Sequence, residues 1–161
     1  EIAGQMLVLG KQAETRDEAR KLAEESIESG DGLEYLKKLV KAQGGDESVI
    51  DQPEKLPEAP VKTVIGAEDS GYISQVHART VGETAVVLGA GRMKKGESID
   101  PAVGISVLVK VGEKVDAGQP LFIIHSHDEN SAEEARLKLE SAVKVVKTEV
   151  KPLPLFYGLI D

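Results

Sequence analysis

The chain has 161 residues, 40% apolar and 30% charged, which suffices for one core plus an accessory segment of an ordinary globular protein. A net charge of -8, with aromatic residues at only 3%, opposes a nucleic-acid partner, which would draw on clustered Lys and Arg and on stacking rings. No apolar run approaches membrane-span length, and the lack of cysteine removes disulfides, thiolate nucleophiles and cysteine-bound metals, so no membrane partner and a cytoplasmic location are expected.

Ile2, Met6 and Leu9 already share one helical face, so the chain reads as entered midway through a helix and as a piece of a longer one. Thr15-Arg16-Asp17-Glu18 has the Ser/Thr-x-x-Glu form, in which a hydroxyl caps a helix and the glutamate reaches back to a free amide. Ala19, Leu22, Ala23 and Ile27 continue that helix to Ser29-Gly30. Leu33, Leu36, Lys37 and Val40 repeat the spacing as far as Gly44-Gly45. Both read as packing helices of a larger domain, giving a helical segment over 1–49. Residues 50–60 then bring Pro53, Pro57 and Pro60, which remove backbone donors and push their predecessors extended: a linker or hinge strand.

Strands are expected at 61–65, 71–77, 105–109 and 121–125, from β-branched content and flanking glycines. Between the last two, the polar stretch 111–120 carries Gly112 and Gly118 and reads as a compact, hammerhead-like hairpin. It is similar to the hairpin of biotinyl and lipoyl carrier domains, which implies a barrel-sandwich arrangement. Where such carriers place the modified lysine, this chain has Ile124-His125-Ser126-His127-Asp128, and Lys94 lies before the hairpin. A helix is expected over 131–146, with Glu133 and Glu134 in its first turn and Lys144 and Lys147 near its end, followed by a strand within 145–150. Pro152 and Pro154 end regular structure, and the apolar tail 156–160 is expected to dock on the body. The expected fold class is α+β: a barrel-sandwich-like β domain with flanking helices over 61–161, preceded by the short helical segment and the linker.

The chemistry is thinner. Gly89, Ala90, Gly91, Arg92, Lys94, Lys95 and Gly96 form a glycine-rich, basic segment whose backbone freedom and exposed amides suit an anion, or else a helix carboxyl cap followed by a solvated turn. His125 and His127, with Asp128 adjacent, would project to one side of an extended strand and share a metal. No third ligand accompanies them, so hydrogen-bonded strand-end histidines are expected and no metal is assigned. His77 reads as structural. Asp69, Asp100 and Asp116 stand in turns where short acids cap amides, and no nucleophile triad or carboxylate pair emerges, so no catalytic residue is assigned.

The order of pieces from 71 to 126 is GYI, then VGETAVVLGAGR, then ID with VGI, then VKVGEKVDAGQPLF. It resembles the carboxyl-terminal domain of pyrimidine-nucleoside phosphorylases and their thymidine phosphorylase relatives. The resemblance extends to Met6-Leu7-Val8-Leu9, to Ala42-Gln43-Gly44-Gly45-Asp46 and to the end of the chain at Pro154-Leu155-Phe156-Tyr157-Gly158-Leu159-Ile160. It implies an enzyme that cleaves uridine or thymidine with phosphate. The phosphate-binding and base-contacting residues, and a potassium ion, would belong to a preceding amino-terminal part, and the complete enzyme would be a homodimer. It also implies that residues 90–97 act as a lid contact when the domains close, with no cofactor held by this piece and no turnover from it alone. The alternative is a stand-alone barrel-sandwich binding or carrier module.

Overall fold

The computed structural model describes residues 1–158. It consists of two compact units, which divide between Leu56 and Pro57, inside the proline-rich stretch.

The first unit is helical: α1 (Ile2–Leu9), α2 (Arg16–Glu28) and α3 (Asp31–Ala42), followed by 3-10 turns at Glu47–Ile50 and Pro53–Lys55. Pro53 opens the second of these turns, where a fixed φ and a missing donor cost little, so the expected hinge strand is helical as far as Lys55. Thr15 caps α2 as expected, its Oγ1 accepting the Glu18 amide at 3.2 Å. The Glu18 carboxylate reaches one residue further back than the usual box and accepts the Glu14 amide at 2.9 Å. Helices α1 and α2 meet through small residues, Gly4 and Ala19, both buried. Large apolar side chains stay outside: Met6 is 67% and Leu9 83% exposed, and Leu33, Leu36 and Leu39 of α3 are exposed as well. The helical spacing is legible in the sequence; much of its apolar face is exposed.

The second unit holds β1 (Val61–Gly66), β2 (Gly71–Val76), α4 (Ala78–Ala85), β3 (Gly104–Val107), β4 (Lys114–Val115), β5 (Pro120–Ser126), α5 (Glu129–Glu140) and β6 (Val143–Val146). The strands form two three-stranded antiparallel sheets, ordered β1-β5-β3 and β4-β2-β6. The architecture is the expected mixed α+β class, built from open sheets with no closed barrel among the described residues. The stretch 111–120 is more than a hairpin: β3 pairs with β5, while the segment between them crosses to the other sheet, where β4 lies beside β2. Backbone bonds fasten this excursion, Gly112 donating to Ile73 at 2.8 Å and Gly118 to Ala67 at 2.7 Å. Gly71 is fixed by space, since a Cβ there would stand 2.4 Å from the carbonyl oxygen of Val146.

The core gathers Ile73, Val115, Leu121, Phe122 and Ile124 from both sheets with Ala132, Ala135 and Leu139 from α5. The three-and-four spacing of the α5 residues puts them on one stripe facing the strands. This helix begins and ends earlier than expected. The Asp128 carboxylate takes both the amide and the hydroxyl of Ser131 at 2.8 Å, so capping starts the helix at Glu129 and leaves Glu133 and Glu134 beyond its first turn. After Glu140 the run Val143-Lys144-Val145-Val146 pairs with β2, so Lys144 lies in a strand rather than at a helix end. Branched side chains suit that pleated surface better than a continued helix. Of the tail expected to dock, Phe156 is 47% and Tyr157 83% exposed, so its described part is not buried on the body. Leu159 and Ile160 lie outside the described residues.

Candidate functional site

The glycine-rich segment follows from the end of α4. His77 caps that helix, its Nδ1 accepting the Thr80 amide at 3.3 Å, which is the structural role expected for it. Beyond α4 the chain widens into a π turn at Val86–Ala90, where Gly89 takes φ 107°, a left-handed conformation that strains any side-chain-bearing residue. The helix therefore stops here as the cap reading expects, and the chain leaves through Gly91 and Arg92 into an exposed loop.

The base of that loop is closed by hydrogen bonds. The Asp100 amide donates to the Gly89 carbonyl at 3.0 Å, so the two ends of the loop meet. One Asp100 carboxylate oxygen accepts the Ala102 amide at 2.9 Å, the turn-capping role expected for a short acid. The other oxygen pairs with Nε2 of His127. The Ala102 amide first and the His127 contact second hold the Asp100 carboxyl below its ordinary range. At the tip, one oxygen of Glu97 accepts both the Met93 and Lys94 amides at 3.0 Å.

Gly89, Ala90, Gly91, Arg92, Lys94, Lys95 and Gly96 thus stand in one continuous loop, with the Arg92, Lys94 and Lys95 side chains exposed. The structure corrects one element of the anion reading: the Met93 and Lys94 amides are already occupied by an internal carboxylate. Asp100 caps amides and His127 is hydrogen-bonded as the sequence suggests, but neither Glu97 as a partner of the loop amides nor the pairing of Asp100 with His127 follows from a motif. Glu97 carried a local signal, an acid three residues after Lys94 beside a glycine. The pairing of Asp100 with His127 spans 27 positions and exists only in the folded chain.

His125 and His127 are engaged by different partners. Nε2 of His125 lies 3.0 Å from the Ser106 hydroxyl on β3, and His127 is turned to Asp100. Among the described residues no three His, Cys, Asp or Glu side chains gather as a metal site. A separate cleft of about 210 Å³ is floored by Ile65, Leu121, Val143 and Val145. On its rim Asp69 and Lys147 face one another at 3.5 Å. None of the loop residues lines it. Among the described residues no helix is long and apolar enough to cross a membrane.

Residues 72–146 match the family model of the pyrimidine nucleoside phosphorylase C-terminal domain, a stretch running from β2 through the loop and the sheet-crossing excursion to β6. A pyrimidine-nucleoside phosphorylase of Staphylococcus aureus (strain MSSA476) is 42% identical over 160 residues, covering 99% of this chain and 37% of the relative. That of Staphylococcus aureus (strain bovine RF122 / ET3-1) is 42% identical over 151 residues, covering 94% of this chain and 35% of the relative. The chain therefore spans little more than a third of the length of the curated relatives it matches. With β3 to β6, the excursion and the glycine-rich loop inside the matched region, and 42% identity to curated relatives over nearly the whole chain, the chain belongs to the pyrimidine-nucleoside phosphorylase family, whose carboxyl-terminal domain it carries.

Proposed function

We propose that this chain is the carboxyl-terminal part of a pyrimidine-nucleoside phosphorylase that cleaves uridine or thymidine with inorganic phosphate, giving the free base and a pentose 1-phosphate. The observation that carries this reading is 42% identity over 99% of the chain to a protein of that name. In such a reaction positive charge builds on the sugar and negative charge on the departing base. Donors aimed at the base and a positioned phosphate dianion then supply most of the stabilisation. Those groups, and the potassium ion of the complete enzyme, belong to the preceding part of the polypeptide.

The contribution of this chain is closure. The basic 89–97 loop rests on a tied base and carries three exposed cations, which suits an element that meets an anion-filled cleft as a preformed unit and excludes water from it. The exposed apolar face of α1 to α3 suits burial against the preceding part of the enzyme, which would act as a cytoplasmic homodimer in nucleoside salvage.

The test is ultraviolet-monitored, phosphate-dependent release of uracil and thymine by the native-length polypeptide, with the 161-residue chain measured alongside. Turnover by the long chain alone is the expected result. Turnover by neither would overturn the phosphorylase reading, and turnover by the short chain would place catalytic groups within it. Replacing Gly91, whose φ is -143°, by Pro in the native-length enzyme forces the exit of the loop toward about -65° and is expected to lower phosphorolysis.

A further inference from the structure

Among the described residues, one side-chain hydrogen bond joins the segment from Gly89 to Ala102 to any other part of its unit: the pair between Asp100 and His127. Every other recorded bond there is internal. Glu97 ties the tip to itself, Asp100 ties one end of the loop to the other, and Ala102 closes the turn that follows. The loop is consequently tied within itself and continues at its base into the π turn, and its one side-chain tether to the rest of the unit is the one that holds Asp100.

His127 is well built for that task. It stands between two anchored neighbours. Ser126 is 1% exposed and donates its hydroxyl to the Asp128 carbonyl at 3.0 Å, and Asp128 is locked to Ser131 as the cap of α5. The imidazole therefore projects from the rigid junction of the central strand β5 with α5, whereas Asp100 belongs to a segment with no strand or helix of its own. A donor fixed at that junction and bonded to an acceptor at the base of the loop sets the position of that base.

We propose that His127 is a positioning residue, which through Asp100 holds the base of the 89–100 loop in the place from which it closes over substrate. The proposal rests on the closure reading given above. It assigns a role to a histidine that lies outside the glycine-rich motif.

The experiment compares His127→Ala, His127→Gln and Asp100→Asn in the native-length enzyme, reading hydrogen exchange of the 90–99 amides beside the KM and kcat of phosphorolysis. His127→Ala is expected to speed exchange across the loop and to raise KM by about fivefold with little change in kcat, the order expected from losing one partly exposed charge-assisted contact. His127→Gln supplies an N–H to the same carboxylate and is expected to restore both readouts. Asp100→Asn retains the oxygen that accepts from Ala102 and loses the charge, and since neutral imidazole can shift its proton to Nδ1 and accept at Nε2, it is expected to fall between the unsubstituted enzyme and His127→Ala. Unchanged exchange in His127→Ala overturns the tether. Faster exchange with unchanged KM leaves the tether standing but overturns the role in closure, and so the proposal. Loss of the kinetic effect in this form is distinct from failure of the phosphorylase reading, which would appear as no turnover in the unsubstituted enzyme.

Discussion

The helical unit and the sheet-bearing unit solve the burial problem to different degrees. In the second, Phe122, Ile73, Ile124 and Leu139 are each 0% exposed, drawn from strands and a helix distant in sequence. In the first, burial is confined to the small residues Gly4, Ala13 and Ala19, while Met6, Leu9 and Leu39 stand 67%, 83% and 57% exposed. Apolar area removed from water is the main driving term of folding. The second unit therefore has the larger buried apolar core, and the first rests on packing of α1 against α2 around small residues, with caps and exposed ion pairs such as Lys37 with Asp51 at 2.9 Å adding little. Amphipathic periodicity reports which face a helix will bury, and does not report whether the partner is present.

Substitutions sharpen the contrast. Phe122→Ala is expected to cost the second unit about 3–5 kcal/mol, through lost transfer energy and the cavity left behind, read from chemical denaturation. Gly71→Ala comes next, at about 1–3 kcal/mol, because the new methyl group collides with backbone rather than with a side chain that can turn aside. Acid should then loosen α5. The amide of Ser131, and next its hydroxyl, hold the Asp128 carboxyl below its ordinary value. A depressed folded-state pKa gives stability that is complete above the ordinary carboxylate range and is lost as pH falls through the depressed value, so far-ultraviolet dichroism should report helix loss at the acid end. Asp128→Ala should remove that part of the acid response. At the small end, Leu39→Ala should change the stability of the 161-residue chain by less than about 0.5 kcal/mol, since the side chain is largely in water and Ala favours helix. In the native-length enzyme the same substitution should cost more than about 1 kcal/mol, the mark of a face covered there; an equal, near-zero effect in both would break the comparison.

What the sequence disclosed depended on how local each cause was. Thr15, the glycines at 89 and 91 and the branched runs of β1, β2 and β5 act through near neighbours, and their elements stand where the pattern puts them. The boundary between α5 and β6 was hidden because the stretch from Ser131 through Val146 keeps an apolar rhythm that either period accommodates. Pairing of Val143 with Val76 across the sheet decides it. The apolar tail misled for a related reason: hydrophobicity indicates a wish for burial, and two prolines deny the backbone bonds by which this unit would have taken it in. Of the loop, the glycines were visible and the tether was not, because a histidine and an aspartate in separate segments acquire meaning only when β5 brings them together.

The central placement of β5 bears on how the second unit comes into being. Val61 at one edge of its sheet pairs with Ser126, and Tyr72 in the other sheet pairs with Val146. The first sheet lacks a strand until synthesis has passed Ser126 and the second until it has passed Val146, so the search for the native topology is dominated by contacts between remote parts of the chain. Such topologies fold slowly. During elongation, β1 and β2 emerge as unpaired strands with open edges, and a polypeptide arrested before Pro120 would present sticky ribbons in place of a domain.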